Sequence, residues 1–234
     1  MRLGLIVVLA AVVSYPLGLA LGVPWLLPIL NAAPAYTAMV ILLRRGDRRQ
    51  AVIVMLAWAA ALAVAGTLTF AVWPQPPGPL IVHGPEYRDE MFAWIRTGAG
   101  SEGSPRSFIP QHALHLAAFV ALSLVTASAL SITMGAVLMN YMDFYVASLA
   151  RAGAPLWAVV LLGWQPWAIA RVAAFSVLGV VLAQPLLRRL RATREPAHSS
   201  TPLMIAAGAA LLVDVVLKAF LAPLWGGWLR AVLP

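Results

Sequence analysis

The run QHALHLAAFVALSLVTASALSITMGAVLMNYMDFYVASLARAGAPLWAVVLLGWQPWAIARVAAFSVLGVVLAQPLL, residues 111–187, decides the fold. Its charged side chains are Asp143, Arg151 and Arg171 alone. A helix needs about 20 mostly apolar residues to cross a bilayer core, so the run is too long for one crossing and fits three. One division gives spans over 111–131, 134–149 and 167–187. Residues 155–163 then form a short segment at the surface, set off by Gln165-Pro166, because proline breaks a helix that would otherwise continue. The other division carries one helix to about Met139 and makes residues 155–164 a short span.

Working outward, residues 3–23, 25–43 and 51–73 supply three more apolar runs on the N-terminal side, and residues 202–224 supply one on the C-terminal side. Between the third run and residue 111 the chain changes character. Residues 74–110 are rich in Pro, Gly and Ser and carry Glu86, Arg88, Asp89, Glu90, Arg96, Glu102 and Arg106, which reads as an extramembrane loop of net charge −1. Residues 188–201 form a basic linker. The whole chain therefore reads as a single all-α integral membrane domain of about seven spans.

Composition agrees. The chain of 234 residues is 62% hydrophobic and 10% charged, and its mean hydropathy is +0.88. Soluble domains are about 45–50% apolar and about 25% charged, so this chain lacks the polar residues to cover a soluble globule. A soluble enzyme, a disordered tail and a disulfide scaffold are excluded, and with no cysteine so are thiol redox chemistry and thiolate-held clusters.

The formal charge of +8 is an address signal rather than a sign of nucleic-acid binding. Arg44, Arg45, Arg48 and Arg49 against Asp47 make one turn +3; Arg188, Arg189, Arg191 and Arg194 against Glu195 make the linker +3. Short loops rich in Lys and Arg stay in the cytoplasm. The N-terminus, with Arg2, is then cytoplasmic, the 74–110 loop outside, and the C-terminus outside, in a plasma or inner membrane. Trp25, Trp73, Trp225 and Trp228 fall at outer ends, where indoles favour the headgroup zone. Arg2, an apolar run and small residues at Ala20 and Gly22 also fit a cleaved signal, which would leave six spans.

Ionisable groups inside spans are costly and mark function or mutual pairing. Asp214 and Lys218, spaced i,i+4, share a helix face and form either a self-neutralised pair or a titrating relay. Arg171 lies one turn past Trp167, placed to snorkel outward or to hold an anion. Asn140 and Asp143, spaced i,i+3 beside Tyr141 and Tyr145, face one way. Asn31 lies between Pro28 and Pro34, where the second span either breaks and exposes backbone polarity, as in transporters, or, the commoner case, kinks only to pack. Gly18 and Gly22 form a G-x-x-x-G packing motif.

At the outer face, His83, Glu86, His112 and His115 form a candidate ligand set. His112 and His115 point the same way at i,i+3, and imidazole with carboxylate suits zinc, nickel or manganese. Contact of His112 or His115 with a haem or quinone is a further reading of the pair. No H-E-x-x-H, G-x-S-x-G or Walker A motif is present, so any ATPase would be a separate chain.

Three readings follow. The first is a permease, or the membrane subunit of a transport system for a small solute or ion. The second is a non-catalytic accessory subunit, with partner membrane subunits or copies of itself docked on small-residue stripes such as Ala59-Ala60-Ala61. The third is an outer-face metal-binding protein or enzyme.

Overall fold

The computed structural model describes residues 2–75, 77–190, 193 and 199–233. Arg191, Arg194 and Glu195 of the basic linker lie outside the described residues. Nine α-helices follow one another among the described residues: α1 (Arg2–Leu21), α2 (Leu26–Arg44), α3 (Arg48–Val72), α4 (Gly84–Thr97), α5 (Pro105–Thr126), α6 (Ala129–Arg151), α7 (Leu156–Leu162), α8 (Pro166–Arg189) and α9 (Thr201–Val232).

Helix starts follow from local chemistry. Proline lies in the first turn of α4, α5, α8 and α9, where its missing N–H is one the helix would leave unpaired anyway. Asp47 caps α3 by accepting the Gln50 N–H at 3.0 Å. Six helices, α1, α2, α3, α5, α8 and α9, are long and apolar enough to cross a membrane. Their outer surfaces carry Leu5, Ile6, Val64, Leu114, Ile205, Leu212 and Phe220 well exposed. Such a girdle is a liability in water and is what a lipid-facing surface requires. The protein is a multi-pass membrane protein.

α6 is as long as its neighbours but differs from them in carrying Asn140 and Asp143 at mid-helix. It packs against α2, α3, α4 and α5 and is the hub of the bundle. At its C-terminal end Arg151 donates to the carbonyls of Phe70 (2.8 Å) and Trp73 (2.7 Å), closing the last turn of α3. At the opposite end of α3, Arg48 donates to Gln184 of α8 at 2.7 Å. α3 and α6 therefore run parallel, with α8 antiparallel to both.

Several expectations are corrected. Of the two readings of the second span the packed one holds: α2 is continuous from Leu26 to Arg44. Pro28 lies in its first turn, where no hydrogen bond is lost, and Pro34 removes one bond inside a helix held by packing on α1, α3 and α6. The 74–110 loop contains a 14-residue amphipathic helix, α4, which buries Met91, Trp94 and Ile95 against the bundle.

The break inside 111–187 falls at Ala127–Ser128 rather than near residue 132. Both residues adopt left-handed backbone angles (φ 49° and 69°) without a glycine. The Ser128 hydroxyl donates to the Gly179 carbonyl at 2.7 Å, and its backbone N–H to the Ser123 carbonyl at 2.9 Å, which holds a conformation that L-residues otherwise avoid. α7 has seven residues, too few to span.

Of the two glycines in G-x-x-x-G, Gly18 packs on Leu27, while Gly22 (φ 68°) makes the α1–α2 turn with open space around it.

Gly66 of α3 is the closest internal approach: a Cβ there would collide with the Asp143 carboxylate and the Tyr15 hydroxyl. Helix propensity alone favours alanine over glycine by roughly 1 kcal/mol, whereas overpacking costs about 1–3 kcal/mol. Gly66→Ala is therefore expected to lower the unfolding temperature in detergent. Gly208→Ala, at an exposed site with nothing within 4 Å, is expected to hold or raise it. Equal melting of the two variants would contradict this packing.

Candidate functional site

Five ionisable side chains converge where α5, α8 and α9 meet the loop that follows α4. Asp214 and Lys218 of α9 are each 1% exposed. Asp214 does not pair with Lys218. It faces Arg171 of α8, whose Nε lies 3.1 Å from Oδ2 and whose Nη2 donates to Oδ1 at 3.3 Å. Lys218 turns instead to Glu102, with Nζ 2.8 Å from Oε1. His112 of α5 bridges the two pairs: Nδ1 is 3.3 Å from Asp214 Oδ2, and Nε2 is 3.5 Å from Lys218 Nζ. An ammonium can only donate, so Nε2 presents its lone pair to Lys218 and the Nδ1 proton faces Asp214.

The i,i+4 self-pair and the snorkelling arginine are thus both corrected. Each charge finds a better partner on another element, and Arg171 is held inward, its side chain 21% exposed.

Glu102 is the residue that sequence reasoning missed. It sits in a Gly/Ser-rich turn among other loop charges, yet it is 7% exposed. Trp94 of α4 brings it there. The indole is buried beneath Gly226 of α9 and Gly103, positions where a Cβ would meet the ring at 3.1 Å. Ser101 donates to Glu90 and ties the turn back to α4. The signal available in the sequence was indirect. A lysine deep in a span needs an anion, and the loop acids were the supply, but which acid was not legible.

The cluster lines one end of a cavity. It lies within a cleft of about 910 Å³ that includes its open mouth. Near α4 the wall is polar: Glu102, Gln111, His112, His115, Arg171 and Lys218. Farther along the same helices it becomes apolar, with Phe119 of α5, Phe175 of α8, Leu138 and Met139 of α6, and Met55 and Trp58 of α3. Tyr87 of α4 also lines the cavity, and its hydroxyl donates to Met142 Sδ at 3.4 Å. Burial pushes its phenol well above the usual range, so it stays a neutral hydroxyl.

Asn140 and Asp143 do share a face of α6, but it is not the cavity face. They meet Tyr15 of α1, with the phenol oxygen 3.0 Å from Asn140 Oδ1 and 2.8 Å from Asp143 Oδ2. Asn140 Nδ2 donates to Asn31 Oδ1 at 3.2 Å, and Asn31 Nδ2 to Ser14 Oγ at 2.9 Å. α6 therefore separates two polar sites, one on each side.

The proposed metal set does not assemble. His83 and Glu86 lie 4.0 Å apart with exposed side chains at the start of α4, whereas His112 is committed to the ionic cluster and His115 faces the cavity. Among the described residues no three His, Asp or Glu side chains form a metal-holding group. Comparison with known protein families, characterised proteins and solved structures finds no match to this chain.

Breaking one partner of a buried ion pair costs about 3–5 kcal/mol, while removing both costs far less. Lys218→Met alone strands the Glu102 carboxylate and is expected to destabilise strongly. Lys218→Met combined with Glu102→Gln is expected to recover much of the loss in thermal unfolding. Additive losses would show that the two side chains are not partners.

Proposed function

We propose that this membrane protein is a permease, or the permease subunit of a transport system, for a small amphipathic solute with an acidic or hydrogen-bond-accepting head. One observation carries the reading: an ionic cluster inside the bundle opens into a cavity that is polar at its mouth and apolar beyond. Buried charges are retained in membranes where they meet a polar cargo or line its path. Arg171 and Lys218 are held ready by Asp214 and Glu102, so an anionic head enters by exchanging with a carboxylate rather than by recruiting free cations. The apolar wall from Phe119 and Phe175 to Met55 and Trp58 then accepts the tail.

The charge bias of the α2–α3 turn puts that turn in the cytoplasm and the mouth at the outer face, so the solute enters from outside. Alkaline phosphatase fused at Gly100 is expected to be active, and inactive when fused at Gly46. The reverse pattern would overturn the direction of entry.

Octyl phosphate, with an acidic head and a short tail, is the probe for transport. Proteoliposomes are expected to release trapped radiolabelled octyl phosphate several-fold faster than empty liposomes, and inorganic phosphate no faster. Arg171→Gln, which keeps a donor but loses the charge, is expected to bring release back toward the protein-free rate. Release of octyl phosphate no faster than from empty liposomes would sink the reading.

A further inference from the structure

The second polar site, on the far side of α6, poses a hydrogen-counting problem. Asp143 is fully buried, and no Lys, Arg or His pairs with it among the described residues. Its donors are few: Tyr15 is 2.8 Å from Oδ2, and Thr67 Oγ1 is 3.4 Å from Oδ1. An ionised carboxylate inside a bundle without a cation, and with one short donor, is a costly arrangement.

The chain of bonds running away from Asp143 has a direction. Ser14 donates to the Ala11 carbonyl at 2.7 Å, Asn31 donates to Ser14, and Asn140 donates to Asn31. Asn140 then offers its carbonyl oxygen to Tyr15 at 3.0 Å. A phenol has one proton. If Tyr15 gives it to Asn140, the oxygen of Tyr15 is left facing Asp143 Oδ2 as an acceptor. The short contact between them is then a hydrogen bond only if Asp143 supplies the hydrogen.

We propose that Asp143 is a proton-binding site, holding its proton on Oδ2 and donating it to Tyr15 at the head of a chain that runs through Asn140 and Asn31 to Ser14. The site lies outside the cavity and does not rest on the transport reading. Loss of the proton breaks the Oδ2–H bond, leaves the electron pair on the carboxylate and releases the proton to water. Tyr15 then turns its own proton onto Oδ2. Asn140 and Asn31 must turn their amides over, because each donor in the chain becomes an acceptor. The site thus has two hydrogen-bond polarities, one for each protonation state.

The groups that face Asp143 are Tyr15 from α1, Thr67 and Gly66 from α3, and Asn140 on α6 itself, with Asn31 of α2 behind Asn140. Tyr15 is the one other titratable group among them. The chain ties α1 and α2 to the hub helix, so proton occupancy is coupled to how those helices pack.

Infrared difference spectroscopy of the full-length protein in liposomes at neutral pH tests the assignment. The carbonyl stretch of a protonated carboxyl is expected in the native protein and absent in Asp143→Asn, whose amide supplies the donor toward Tyr15. In Tyr15→Phe the band is expected to move to higher frequency, because its acceptor is gone. Identical spectra of native protein and Asp143→Asn in that region would overturn the proposal. Should Asp143→Asn fail to fold, isotope labelling of aspartate carboxyls in the native protein decides the matter. A labelled protonated-carboxyl band that Tyr15→Phe shifts supports the site, and absence of any such band overturns it.

Discussion

A charge cannot lie unpaired in hydrocarbon, and at Asp214 and Lys218 that constraint organises one half of the molecule. Two opposite charges one turn apart on α9 could have neutralised each other. Each instead reaches a partner on a different element, and the consequence is architectural. Arg171 ties α8 to α9, His112 links α5 to α9, and Glu102 pulls the turn after α4 down onto the bundle. Two carboxylates balance two cations in the cluster, which lowers the cost of burying them. α4 then packs as a lid rather than trailing as a loop, and the cavity beneath it acquires a polar mouth.

The other half depends on α6. Residues 139–143 alternate between its two sides: Met139, Tyr141 and Met142 line the cavity, while Asn140 and Asp143 face α1 and α3. Close approach of α3 to that second face requires Gly66, and the arginine at the helix end fixes α3 and α6 in register. A helix enclosed in this way can carry an asparagine and an aspartate at membrane depth because neither meets lipid. The polar pair at its middle is what suits it to an enclosed position.

Much of this was legible in the sequence for a simple reason: apolar length is a local property. Residues 3–23 and 25–43 announce their helices whatever surrounds them, and Asn140 with Asp143 must share a face at i,i+3. What was not legible depends on partners distant in the chain. Nothing near Glu102 marks it as buried, since the cause is Trp94 seated on Gly226 of another helix. Local rules also predicted the wrong partner for Asp214, because i,i+4 spacing permits a pair without requiring one. The break at Ala127–Ser128 carries neither Gly nor Pro and exists through a hydrogen bond to Gly179, some fifty residues on. Pro34 left open a broken helix or a packed kink, and packing on three neighbours keeps the helix whole.

α5 turns one face toward the water-accessible cavity and another toward lipid. Two adjacent residues decide it: His115 lines the cavity, and Leu114 is 67% exposed on the outside of the bundle. The chain has no cysteine, so single thiols can be placed without altering anything else. In native membranes, a charged, membrane-impermeant thiol reagent is expected to modify His115→Cys readily and to leave Leu114→Cys unreacted. Modification of Leu114→Cys with His115→Cys untouched would contradict both the lipid-facing girdle and the cavity.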